Sequence, residues 1–105
     1  AVVAVMFEMG DNNPELAKLT ATLPKSGQTV KLAQAFAVKD LLPSITNYYR
    51  FNGSLTTPPC SEGVRWIVLQ ETKTLSKDQD KALMSMMGHN NRPVQALNAR
   101  KVLSN

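Results

Sequence analysis

Two adjacent prolines, Pro58 and Pro59, stand between two β-prone runs, and they limit the fold of this chain more than any other feature. Each proline fixes its own φ and removes an amide donor, so a regular ladder cannot continue through the pair. The flanking runs, Ile45 to Phe51 and Gly63 to Thr72, are therefore expected as separate strands joined by a stiff loop. The second run alternates, with Val64, Trp66, Val68 and Gln70 on one face and Arg65, Ile67, Leu69 and Glu71 on the other. Both faces are mostly apolar, which predicts a central strand. The connecting segment offers a turn signal at Asn52-Gly53 and two hydroxyls, Thr56 and Thr57. A stiff loop that holds hydroxyls beside a sheet suits an active-site wall, and it suits a plain surface corner equally well.

The rest of the chain reads as short elements. Ala1 to Met9 is an apolar, β-branched run closed by Gly10-Asp11-Asn12, the pattern of a strand buried on both faces. It reads as a strand entered partway through a fold. Asn13 and Pro14 form a helix start, cap and first position, with Leu16, Leu19 and Leu23 as the apolar stripe before Pro24. Ser26-Gly27 centres a loop, Thr29 to Phe36 has no clear period, and Val38 to Leu42 fits one helical turn before Pro43. Ser76 and Gln79 match a capping box that opens a helix reaching Met87. Its Leu83, Met84, Met86 and Met87 are expected to pack a core. Gly88-His89-Asn90-Asn91 ends that helix, and the remainder is irregular with a short strand near Val102.

Composition removes several functional classes. Of 105 residues 43% are hydrophobic and 19% charged, a globular balance. The net charge of +4 comes from scattered basic residues, and aromatics make up 6%, so the clustered cations and stacking rings of a nucleic-acid surface are missing. No apolar run approaches the roughly 18 residues needed to cross a bilayer. A single cysteine, Cys60, excludes an internal disulfide and a site of paired cysteines. The only histidine, His89, lies in a Gly-Asn loop signal and reads as a solvated residue. Asn52-Gly53-Ser54 matches a glycosylation sequon, which the turn value of Asn-Gly explains more simply.

The loop carries a resemblance as well as a shape. Ser54-Leu55-Thr56-Thr57-Pro58-Pro59, with Glu62 and Trp66 after it, closely resembles the signature of α-class carbonic anhydrases. Tyr48-Tyr49-Arg50-Phe51-Asn52-Gly53 resembles the bacterial form of the preceding strand. Asn91-Arg92-Pro93-Val94-Gln95 resembles the family's segment near the carboxy terminus, and Ala1-Val2-Val3-Ala4-Val5 the strand after its last zinc histidine. The matches come in family order and cover residues 1–105, the carboxy-terminal half of one such domain.

The resemblance implies a mostly β fold with short helices, part of a large, twisted, mainly antiparallel central sheet. It implies reversible hydration of carbon dioxide to bicarbonate with zinc as cofactor, carbonic anhydrases being the standard example of zinc-activated water. Thr56 takes the role of gatekeeper, its hydroxyl accepting from zinc-bound hydroxide and its amide donating toward anions and sulfonamide inhibitors. Thr57 lines the substrate site, and Leu55, Val2, Val64 and Trp66 form the apolar wall that receives carbon dioxide. The three zinc histidines, the proton-shuttle histidine and the glutamate that orients the gatekeeper have no counterpart here. The metal ligands are thus expected outside this chain, in a histidine-bearing amino-terminal half. The alternative is a non-catalytic binding or structural module on the same scaffold. The family also implies a cis Pro58–Pro59 bond and a disulfide from Cys60 to a cysteine outside the chain, and Arg92 reads as a structural residue that anchors the terminal segment by hydrogen bonds. It implies a periplasmic or secreted bacterial protein, without membrane or nucleic-acid partners, and allows a homodimer. Alone, the chain is expected to expose sheet edges and apolar faces.

Overall fold

β-Branched and aromatic residues build the strands of this protein, and the prolines and glycines between them set the ends. The computed structural model describes all 105 residues, which fall into two units. The first comprises Ala1–Met6, Pro43–Thr72 and Asn90–Asn105; the second comprises Phe7–Leu42 and Lys73–His89.

The first unit is a four-stranded sheet in the order β1 (Val2–Ala4), β4 (Glu62–Leu69), β3 (Tyr48–Ser54), β6 (Leu103–Ser104). β3 and β4 pair antiparallel around the proline loop, from Tyr48 opposite Leu69 to Ser54 opposite Glu62, with a register shift between Gly53 and Ser54. β1 runs parallel to β4, Val2 opposite Trp66 and Ala4 opposite Val68. β6 runs antiparallel to β3 at Tyr49 and Arg50. β4 is therefore central, as its two apolar faces predict, and Leu69 at its end is buried.

The second unit pairs β2 (Phe7–Met9) in parallel with β5 (Lys73–Leu75) and adds two helices, α1 (Pro14–Thr20) and α2 (Lys77–Met87), with a 3-10 turn at Val38–Leu41. Both predicted caps form. The Asn13 side chain accepts from the amides of Glu15 and Leu16, and Ser76 and Gln79 complete the capping box of α2. The buried residues here are Asn13, Leu16, Leu75 and Gln79.

Five expectations need correction. The run Ala1 to Met9 is two strands, interrupted at Val5-Met6, and Phe7–Met9 is exposed, so no single doubly buried strand exists. The strand placed at Ile45 to Phe51 runs from Tyr48 to Ser54, because Ser44 and Thr46 instead bond each other in a local turn. Asn52-Gly53 lies within that strand and not in a turn. α1 ends at Thr20, before Leu23. Met84, Met86 and Met87 are 38%, 42% and 48% exposed, so the methionine stripe does not fill a core of this chain.

Candidate functional site

The site predicted from the loop is assembled by strand register. Residues directly opposite each other across paired strands project to the same side of the sheet. Val2 faces Trp66, and Val64, two residues before Trp66 on the same strand, shares that side. Three of the four residues proposed for the apolar wall, Val2, Val64 and Trp66, thus stand on one face, and the fourth, Leu55, lies in the loop. Phe51 opposes Trp66, and the two rings stack with centroids 6.4 Å apart and 7° between planes. Gly53 opposes Val64, and its missing side chain leaves room for the indole: an added Cβ would come within 2.9 Å of Trp66 Cδ1.

The register shift after Gly53 changes what Ser54 bonds. Its carbonyl accepts from Trp66 Nε1 at 3.0 Å, which holds the indole edge to the end of β3. Its hydroxyl donates to the Leu55 carbonyl at 3.0 Å and accepts from Arg92 Nη1 at 2.9 Å. Bulges of this kind bend a strand and re-aim the groups at its end.

Beyond Ser54 the loop closes on itself. The Leu55 amide donates to Ser61 O at 2.9 Å, and the Cys60 amide donates to Thr57 O at 2.8 Å across the cis Pro58–Pro59 bond. Cys60, at φ +56, is a half-buried free thiol. Thr56 and Thr57 are exposed, and the loop's hydrogen bonds use neither the amide nor the hydroxyl of Thr56.

A hollow of about 400 Å³ lies against this face. Thr56 lines it together with Trp66, Phe51, Val68 and Ala4, and residues between Arg92 and Val102 form its other side. The structure therefore brings Thr56 and Trp66 to one cavity. Val2 and Val64 share the sheet face without lining that hollow, and Leu55 and Thr57 lie in the loop outside it.

Arg92 anchors the terminal segment, as expected, through Ser54. Sequence reasoning missed its companion, Arg100. That guanidinium donates to Asn52 O at 2.8 Å and to the Leu97 and Ala96 carbonyls at 2.9 Å each. β6 reaches only Tyr49 and Arg50, so Arg100 supplies the β3 carbonyl farther along with a donor in place of a strand. A lone arginine in an irregular segment carries no signal of this. Ser54 did carry one, as a hydroxyl inside the motif.

Nowhere do three histidine, cysteine, aspartate or glutamate side chains converge as a metal ion requires. His89 is exposed just past the end of α2 and belongs to the second unit. These 105 residues do not by themselves fit a zinc ion. No helix is long and apolar enough to cross a membrane.

Known proteins resemble this chain in sequence and in fold. The profile of the eukaryotic-type carbonic anhydrase family matches residues 1–105. Carbonic anhydrase from Klebsiella pneumoniae is 54% identical over 105 residues, covering 98% of this chain and 43% of its own length. The protein from Pectobacterium carotovorum is 47% identical over 104 residues, again with 43% of its length matched. Among solved structures, the Photobacterium profundum α-carbonic anhydrase superposes with a TM-score of 0.92 at 58% identity, over 95% of this chain and 46% of that one. The Thermovibrio ammonificans enzyme, solved with the inhibitor sulfanilamide, gives 0.91 at 50% identity, over 95% and 45%. The chain thus spans less than half the length of these relatives. Its fold, its proline loop and its sequence from end to end make it a member of the α-class carbonic anhydrase family, with bacterial relatives.

Proposed function

We propose that the protein this chain belongs to hydrates carbon dioxide reversibly, and that the chain is the carboxy-terminal half of its single catalytic domain. The observation that carries this reading is the pairing of an unengaged threonine, Thr56, with an apolar sheet face that holds Val2, Val64 and Trp66. Carbon dioxide has no charge to grip, so a dry apolar surface is the fitting receptor for it. Thr56 then orients the attacking oxygen by accepting a hydrogen bond from it, and its amide donates to the negative charge that develops on the product. Thr57 and Leu55 border the site on the loop side. Zinc, the cofactor the family implies, takes its ligands from outside these 105 residues, and sulfanilamide-type inhibitors compete for the Thr56 amide. Cys60 forms a disulfide with a cysteine elsewhere in the protein, consistent with a periplasmic or secreted location.

The test is Thr56→Ala in the complete protein. Turnover should fall about 100-fold, the scale of losing one oriented polar group in an acyl- or carbonyl-type site. Unchanged turnover would remove the role assigned to Thr56. The second reading is a non-catalytic module on this scaffold, in which the rest of the protein supplies no metal ligands. Zinc content separates the two. About one zinc per complete protein supports the enzyme, and none after metal is supplied supports the module.

A further inference from the structure

The hydroxyl of Ser54 joins two groups that the proposed mechanism does not connect. It accepts from Arg92 Nη1 at 2.9 Å and donates to Leu55 O at 3.0 Å. The Leu55 carbonyl and the Thr56 amide are the two ends of one peptide unit, and that unit is planar. Whatever holds Leu55 O therefore also sets the direction of the Thr56 N–H. A donor at the carbonyl further polarises the amide, and a charged donor behind the hydroxyl strengthens the effect.

We propose that Arg92 and Ser54 are positioning residues for the anion-donating amide of Thr56, acting through the Leu55 carbonyl; this rests on the function proposed above. Three restraints converge on the short stretch before Thr56. Trp66 Nε1 holds the Ser54 carbonyl at 3.0 Å, Arg92 holds its hydroxyl, and the Leu55 amide is held by Ser61 O at 2.9 Å. The Leu55–Thr56 peptide is thus fixed at its carbonyl end and through the preceding residue, and its N–H is the end left to a ligand. Arg92 is half-buried and its one hydrogen bond goes to Ser54, so its charge is directed at this relay and not at a carboxylate. The same contact sets the place of the terminal segment, so Arg92 serves as anchor and as polariser together.

The experiment is calorimetric titration of the complete, zinc-loaded protein with sulfanilamide, comparing wild type with Ser54→Ala, Ser54→Thr and Arg92→Lys. Titration returns the number of competent sites and their Kd separately. Ser54→Ala should raise Kd on the order of tenfold, the loss of a charge-assisted hydrogen bond, with stoichiometry unchanged. Ser54→Thr keeps the hydroxyl and should restore affinity. Arg92→Lys should raise Kd less than Ser54→Ala does, and should add nothing in the Ser54→Ala background. A fall in stoichiometry at constant Kd would make the pair merely structural and overturn the proposal, as would an unchanged Kd in Ser54→Ala. A wild-type protein that binds no sulfanilamide and hydrates no carbon dioxide would instead remove the function on which the relay rests.

Discussion

An added methyl group at Gly53 would stand 2.9 Å from Trp66 Cδ1 and 3.1 Å from its Nε1. The glycine is needed for that clearance alone, since it lies in an ordinary strand conformation opposite Val64. Gly53→Ala should push the indole out of its bond to the Ser54 carbonyl and destabilise the complete protein by about 1–3 kcal/mol, an overpacking cost. Trp66 is the only tryptophan in the chain, so in a protein whose remaining residues are matched its emission should shift as the ring moves. An unmoved spectrum and an unchanged melt would show that the ring adjusts freely. Sequence reading singled out Trp66 and Thr56 by their motif. It missed why Gly53 is a glycine, because Asn-Gly is a turn signal in one dimension and a cross-strand gap in three.

At the scale of elements, the two helix starts of the second unit are joined by one amide. Gln79 Oε1 accepts from Ser76 N at 3.1 Å, as a capping box requires, and also from Asn13 N at 2.9 Å. Its Nε2 donates to Asn13 O at 2.7 Å, so the glutamine pairs with both backbone groups of the α1 cap residue. Both residues are buried, at 7% exposure for Asn13 and 5% for Gln79. Gln79→Ala should cost about 2–4 kcal/mol, a lost cap plus a buried amide left unpaired, measured by urea unfolding of the complete protein. Gln79→Glu sets a buried carboxylate oxygen against the Asn13 carbonyl, so at pH 7 it should cost at least as much as Gln79→Ala. Equal stability of Gln79→Ala and wild type would show that water replaces the amide. The local half of this arrangement was legible, since Ser76 and Gln79 are three residues apart. The Asn13 contact was not, because nothing in a linear pattern pairs positions 13 and 79. The methionines of α2 were misread for a related reason: helical spacing shows that a face is apolar, not what covers it.

At the scale of the whole molecule, apolar side chains outnumber the partners this chain offers them. The buried apolar residues are Leu16, Leu69 and Leu75, whereas Val3, Met6, Met9, Val38 and Ile45 are each more than half exposed and Val94 is fully so. Three buried leucines are a small core for a chain of this length. The chain spans 43% of its Klebsiella pneumoniae relative, which fits a sheet whose faces are finished by the rest of a domain. The isolated 105 residues should therefore bind a hydrophobic dye and self-associate, without a sharp thermal transition. A cooperative melt of a monomer, followed by circular dichroism and sedimentation, would contradict this.

The parallel pairing of β1 with β4 has a consequence for assembly in time. Loop-closure entropy grows with the length of chain enclosed, so contacts between near neighbours form ahead of distant ones. β3 and β4 enclose only the proline loop, whereas Val2 and Trp66 enclose nearly two-thirds of the chain between them. The threonine loop and its indole support can therefore take shape as a local hairpin while the Val2 side of the wall is still unformed. The apolar face shared by Val2 and Trp66 is, by that ordering, among the last parts of this sheet to close.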